Sequence, residues 1–182
     1  WSLGGKRDGM NDSHRDLDRL RELLLVREAQ QGQAEAFRTL VDAYERRLLY
    51  FIRRILSEED RSLDVLQEVW LTAIKRLSSL QSAEAFRVWL YRIARDKAVD
   101  AVRGRQRERE VLADIAESLP DEPADPIEPG FTTENIELIH QALSLLSTAH
   151  REVLTLRFLE DMSLEEVSHV IGCPLGTVKS RL

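Results

Sequence analysis

Four of the five prolines in this 182-residue chain fall close together, at Pro120, Pro123, Pro126 and Pro129, and this stretch limits the fold more than any other feature. Proline fixes φ, has no N–H to donate and biases the preceding residue toward extended backbone. Neither helix nor sheet continues through such a spacing. Residues 111–137 around it hold eight acidic groups and no basic one. The expected result is a solvated, extended linker between two folded parts.

Both flanks read as helix. Leu, Ala, Arg and Glu dominate, and the chain has only 8 Gly. Leu17, Leu20 and Leu24 form one stripe from Asp16 onward, and Gly32 ends it. Phe37, Leu40, Val41, Tyr44, Leu48, Phe51, Ile52 and Ile55 recur at steps of three and four. Leu63, Leu66, Val69, Trp70, Ala73, Ile74 and Leu77 repeat the pattern, and after a loop at Ser78 to Ala83 so do Phe86, Leu90, Ile93, Ala94 and Val102. The fourth helix is expected to run out in the basic stretch Arg103 to Arg107. Beyond the linker, Ile136, Ile139, Leu143 and Leu146 mark one helix, and Val153, Leu154 and Phe158 the next. The fold class is all-α: two small helical domains joined by an acidic, Pro-containing linker. The division is 1–15, a tag or disordered start in which Trp1 to Gly9 reads as an appendage ahead of a native start at Met10; 16–110, the N-terminal domain; 111–134, the linker; and 135–182, the C-terminal domain.

The net charge of −6 argues against nucleic acid, but its distribution does not. Residues 86–110 carry eight basic and four acidic groups beside Trp89 and Tyr91. Cations that follow a backbone and rings that stack on bases suit single-stranded DNA. The single cysteine, Cys173, excludes an internal disulfide and a cysteine metal cluster, which points to a reducing cytoplasm. His14, His140, His150 and His169 show no metal spacing. No apolar run approaches the roughly 20 residues that span a bilayer, and no signal peptide is evident, so no membrane contact is expected. There is no nucleophile–base set or phosphate loop; neither enzymatic activity nor a cofactor is expected.

The last twenty residues carry the sharpest local signal. Ser163-Leu164-Glu165-Glu166 fits a capping box at the head of a helix that buries Val167, Val170 and Ile171. Gly172 suits its C-terminal cap, and Pro174 the first turn of the next helix. In that last helix Val178 and Leu182 share an inward face. Gly176, Thr177, Lys179, Ser180 and Arg181 look outward, a set that suits phosphates and base edges in a major groove.

The run Ile171 to Leu182 resembles the promoter-reading end of extracytoplasmic-function sigma factors, and Leu146 to Leu154 resembles the first helices of the same domain. Asp64-Val65-Leu66-Gln67-Glu68-Val69-Trp70 is similar to the family's polymerase-binding helix. Phe86 to Asp96 is similar to its melting and minus-ten segment. The resemblance implies a specificity subunit that binds core RNA polymerase and promoter DNA and is held in check by an anti-sigma protein. It implies polymerase contacts at Asp64, Gln67, Glu68 and Trp70. It implies minus-thirty-five contacts at Gly176, Thr177, Lys179, Ser180 and Arg181. Minus-ten contacts would come from Arg87, Trp89, Arg92, Arg95, Asp96, Lys97 and Arg103, with Ser79, Gln81 and Ser82 in a loop that holds an extruded base.

Other readings stand beside these. Asp64, Gln67 and Glu68 also fit a solvated face, and Trp70 and Trp89 also fit the core. The acidic linker fits a spacer as well as a mimic of nucleic acid in the polymerase channel. Asp96 stands where many relatives carry Asn; either it pairs with a neighbouring Arg or minus-ten preference differs. A sigma-mimic decoy, which binds a regulator without reading promoters, is the alternative function. Related chains run on past the position of Leu182, so weak minus-thirty-five binding by these 182 residues is expected.

Overall fold

The computed structural model describes residues 8–56, 59–113, 143 and 145–182, with side chains at 16–56, 61–107, 143 and 145–182. Among the described residues the chain is helical and has no strand. Helices α1 (Asp8–Gln30), α2 (Ala34–Leu56), α3 (Glu59–Arg76) and α4 (Phe86–Ala113) form the N-terminal part. Helices α5 (Thr148–Leu154), α6 (Leu164–Ile171) and α7 (Leu175–Ser180) form the C-terminal part. Two 3-10 turns, Leu77–Ser79 and Ala83–Ala85, link α3 to α4, and a π turn, Thr155–Leu159, extends α5. The acidic proline stretch and the stripe at Ile136 and Ile139 lie outside the described residues.

Helix α2 is the centre of the N-terminal part and packs against α1, α3 and α4. It buries Leu40, Tyr44, Leu48, Phe51, Ile52 and Ile55, as its periodicity predicts. Burial of each large apolar side chain contributes about 1.5–3 kcal/mol. Aromatic edges join the layers: the Tyr44 and Phe86 ring centroids are 5.7 Å apart, and those of Phe51 and Tyr91 5.4 Å. Gly32, at φ +87°, closes α1. Its N–H donates to the Ala29 carbonyl (3.0 Å) while the Gln33 N–H reaches back to Glu28 (3.1 Å), which satisfies carbonyls the helix leaves open.

Several expectations change. Helix α1 starts at Asp8, ahead of the stripe at Asp16. That stripe faces out: Leu17, Leu20 and Leu24 are 54–61% exposed, while Val26 is buried and Leu23 packs beside it. A bond from the Tyr44 hydroxyl to Glu22 (2.7 Å) fixes which side of α1 turns inward. Leu63, Ile74, Val102 and Phe158 are exposed too. Val65, Leu66, Val69 and Ala73 already fill the inner side of α3, with Leu77 buried just past its end, and at about 100° per residue Ile74 falls outside their arc. Helix α4 does not run out at Arg103. It passes through Gly104 to Ala113, because one glycine costs only about 1 kcal/mol among good helix formers.

The two parts do not stand apart. Val153, Leu156, Met162 and Val167 belong to the same apolar cluster as Leu48, Tyr91 and Ala94. Helix α5 packs on α2, and α6 packs on α4.

Candidate nucleic-acid interface

The helix-turn-helix forms as its sequence predicts. The Glu166 N–H donates to the Ser163 hydroxyl (3.1 Å), and the Ser163 N–H donates to the Glu166 carboxylate (2.8 Å). Gly172 sits at φ +71° and its N–H donates to Ser168 (2.8 Å); the Ser168 hydroxyl binds the Cys173 carbonyl (2.6 Å) and braces the turn. Pro174 occupies the cap position of α7, one residue earlier than expected, and its carbonyl accepts from Val178. Val178 is fully buried, whereas Leu182, past the last turn of α7, is 48% exposed and does not share that inward face. Gly176, Lys179 and Ser180 face solvent, and Thr177 and Arg181 are half-buried. A Cβ at Gly176 would meet no protein atom, so packing does not require glycine there, and its absence leaves room for an outside group.

The basic side of α4 is less free. Arg95 donates from Nε to Glu152 (3.2 Å), Lys97 lies 2.9 Å from Glu68, and Arg87 lies 3.4 Å from Glu166 and 3.5 Å from the Asp161 carbonyl. Arg92 and Arg103 are exposed. Asp96 is exposed and forms no ion pair among the described residues, so pairing with a neighbouring Arg is not its role in this fold. Trp89 is half-buried, its ring 6.0 Å from Phe86, which is the inward of the two readings left open for it.

Beside the start of α4 is a polar cavity of about 430 Å³ lined by Arg27, Gln30 and Gln31 of α1 and by Gln81, Ser82, Ala83 and Glu84. The Gln30 amide donates to the Leu77 and Leu80 carbonyls (3.1 and 2.7 Å) and ties the loop to α1. Ser82 bonds Glu84 and holds that carboxyl below its usual range. Gln81 and Ser82 therefore sit at the cavity as the sequence suggests. Ser79 does not: its hydroxyl donates to the Arg76 carbonyl at the end of α3. Arg27, Gln30, Gln31 and Glu84 carry no sequence signal, since only the fold brings α1 to this loop.

On α3, Asp64, Gln67 and Glu68 are exposed, together with Leu71 and Ile74, both 57%. The sequence reading does not name Leu71 and places Ile74 on the apolar stripe; their phase, on the side away from Val65 and Val69, is the signal that finds them. Trp70 leaves this stripe and meets Phe37 edge-on at 5.9 Å.

Charged groups meet across the contact between the two parts. Glu160, nearly buried, lies 2.6 Å from Arg47 of α2. Glu152 is buried beside Arg95, and burial raises its carboxyl above the usual range, with Arg95 and Arg181 opposing that rise. Burial, reinforced by Glu160, also holds the Tyr91 phenol well above its usual range. None of these pairs is legible in the sequence. Among the described residues no cluster of His, Cys, Asp or Glu is arranged to hold a metal, and no helix is long and apolar enough to cross a membrane.

Comparison with known proteins agrees with this layout. The Sigma-70 region 2 family matches residues 40–108, and the Sigma-70 region 4 family matches residues 136–182. The chain is 34% identical over 166 residues to the RNA polymerase sigma-H factor of Pseudomonas aeruginosa, covering 87% of this chain and 86% of that one. It is 31% identical over 176 residues to the ECF RNA polymerase sigma-E factor of Haemophilus influenzae, with 91% of each covered. A solved structure of CnrH in complex with the cytosolic domain of CnrY superposes with a TM-score of 0.62 at 26% identity, covering 89% of this chain and 90% of that one. With both regions present in order along nearly its whole length, the chain belongs to the extracytoplasmic-function (ECF) group of RNA polymerase sigma factors.

Proposed function

We infer that this protein directs core RNA polymerase to a set of promoters and helps open them, and that the polymerase performs all the chemistry. The observation that carries this most directly is the capped helix-turn-helix, with Gly176, Lys179 and Ser180 facing solvent, on the same chain as a basic α4. In this reading residues 135–182 read the minus-thirty-five duplex through Gly176, Thr177, Lys179, Ser180 and Arg181. Residues 16–110 read the minus-ten element through Arg87, Trp89, Arg92, Arg95, Asp96, Lys97 and Arg103. The cavity beside Gln81 and Ser82 takes an extruded base, with Arg27 as a donor and Glu84 as an acceptor. The polymerase meets α3 at Asp64, Gln67 and Glu68, with Leu71 and Ile74 supplying the apolar area. The protein works where the polymerase works, in the cytoplasm, under an anti-sigma protein. The similar protein CnrH, solved with the cytosolic domain of CnrY, supports control by a bound partner.

Run-off transcription with purified core polymerase and a promoter library tests this. Promoter-dependent transcripts that need this protein are expected. Their absence leaves the decoy, which would still bind a regulator.

A further inference from the structure

Four cationic side chains that the proposed function assigns to DNA are not exposed: Lys97 pairs with Glu68 of α3, while Arg87, Arg95 and Arg181 act on acidic groups of the C-terminal part. Arg95 donates to Glu152, which is 4% exposed. Arg181, at the end of the recognition helix, acts electrostatically on the same carboxylate. Arg87 meets Glu166 and the Asp161 carbonyl. A carboxylate against a guanidinium reproduces the geometry and charge of a phosphate contact. Helix α6 lies along α4, so the protein's own acidic groups occupy the place a nucleic-acid backbone would take. One further pair fastens this contact without belonging to either DNA face: Arg47 of α2 and Glu160, 2.6 Å apart, with the Glu160 side chain 3% exposed. The exposed stripe on α3 is left uncovered.

We propose that the free protein is latched shut, its C-terminal part covering the DNA-facing side of α4, with Glu152 and Glu166 standing in for phosphates and the Arg47–Glu160 pair as the clasp. This latch is built into the chain and acts without a regulator protein; it rests on the assignment of α4 and Arg181 to DNA. A state able to bind DNA is then a minor one, and apparent affinity falls by the fraction open. Polymerase can engage α3 while the latch is closed.

The clasp can be broken and remade without touching a DNA contact. Arg47→Glu places two carboxylates in apposition and lowers the net charge, while Glu160→Arg places two cations in apposition and raises it. The pair Arg47→Glu with Glu160→Arg restores attraction at the original charge. Binding of the full chain to a short fluorescein-labelled single-stranded DNA of mixed sequence is read by anisotropy at fixed salt, and radius of gyration by small-angle scattering. Thermal melts followed by helicity confirm that each variant is folded. Both single variants should expand and bind at least about tenfold tighter, because a minor state of this kind is populated at about 10% or less. The double variant should return both readings to those of the parent. A gain in Glu160→Arg alone is plain charge attraction and overturns the latch, as does a gain that survives in the double variant. No expansion in either single variant overturns the latch and leaves the promoter reading standing. Expansion without tighter binding overturns the masking together with the assignment of α4 to DNA.

Discussion

The two basic helices hold their cations in opposite ways. On α4, Arg87, Arg95 and Lys97 each meet a carboxylate from another element. On α7, Lys179 is exposed and has no ion pair among the described residues, and Ser180 bonds only the Thr177 carbonyl of its own helix. If α4 meets DNA as proposed, its cations serve folding and recognition together, and binding there exchanges protein–protein pairs for phosphate contacts. Lys179 of α7 would serve recognition alone in that reading.

Alanine in place of one cation on each helix breaks this comparison most sharply. Arg95→Ala leaves Glu152 without its nearest cation, and its side chain is only 5% exposed. Removing one partner of a sealed pair costs about 3–5 kcal/mol; here protonation of Glu152 or separation of the two parts limits the loss to about 2 kcal/mol. Urea denaturation measures it. Lys179→Ala should change stability by less than about 0.5 kcal/mol. Its effect should appear in the salt dependence of holoenzyme binding to a minus-thirty-five duplex, where the slope of log affinity against log salt falls by about one. Equal stability losses in the two variants would erase the distinction between the helices.

The capping box lies on the border between the two regimes, because Glu166 serves both the α6 cap and Arg87. Ser163→Ala removes the hydroxyl acceptor for the Glu166 N–H and should lower stability by about 1 kcal/mol. Ser163→Gly should cost only a few tenths of that. The measurement is the same denaturation series. A loss much larger than that for Ser163→Ala would mean that the cap also positions Glu166 against α4.

Just before the box, Asp161 holds a φ of +50°. Its side chain is exposed, and its carbonyl faces Arg87. Left-handed backbone costs a residue with a Cβ about 1–2 kcal/mol, less for Asp, while glycine loses about 0.5–1 kcal/mol more backbone entropy on folding. Asp161→Gly should therefore raise the melting temperature slightly, corresponding to about 0.5 kcal/mol. A decrease would show that the Asp161 carboxylate, 3.9 Å from Arg157, contributes more than the backbone strain it accompanies.

How much of this is legible in the sequence follows from the range of the interactions. The helix-turn-helix is written locally: Ser163, Glu166, Gly172 and Pro174 each act on backbone within five residues, and each occupies its expected place or the next one. The α2 stripe is legible for the same reason. The α1 stripe misleads because Leu17, Leu20, Leu23, Leu24 and Val26 allow more than one inward phase, and the choice rests on Tyr44, more than a turn of chain away in α2. The cavity needs Arg27 and Gln30 beside Gln81 and Ser82, a meeting set by how α1 lies on the loop. The pairs between the two parts are less legible still. Arg47 and Glu160 are separated by the whole linker, and a charged residue in a helix reads as solvated surface until its partner is in place.

Glu152 gives the smallest and most selective test of the difference between the helices. Burial raises its carboxyl, and Arg95 of α4 and Arg181 beyond α7 oppose the rise without cancelling it. In an opened chain the group is hydrated and titrates in the ordinary carboxylate range. A carboxyl whose pKa is higher in the closed form binds a proton more readily there, so acid favours closure. That contribution is complete below the ordinary carboxylate value and is lost as pH rises through the raised one. Small-angle scattering on the parent protein should therefore show it more compact in mild acid than at neutral pH, at fixed salt. Glu152→Gln, which keeps the shape and removes the titration, should flatten that slope. A slope unchanged in Glu152→Gln assigns the effect to another group. A parent protein that loosens in mild acid shows that the ionised Glu152–Arg95 pair outweighs its own desolvation, and then α4 holds its arginines by charge more than by burial.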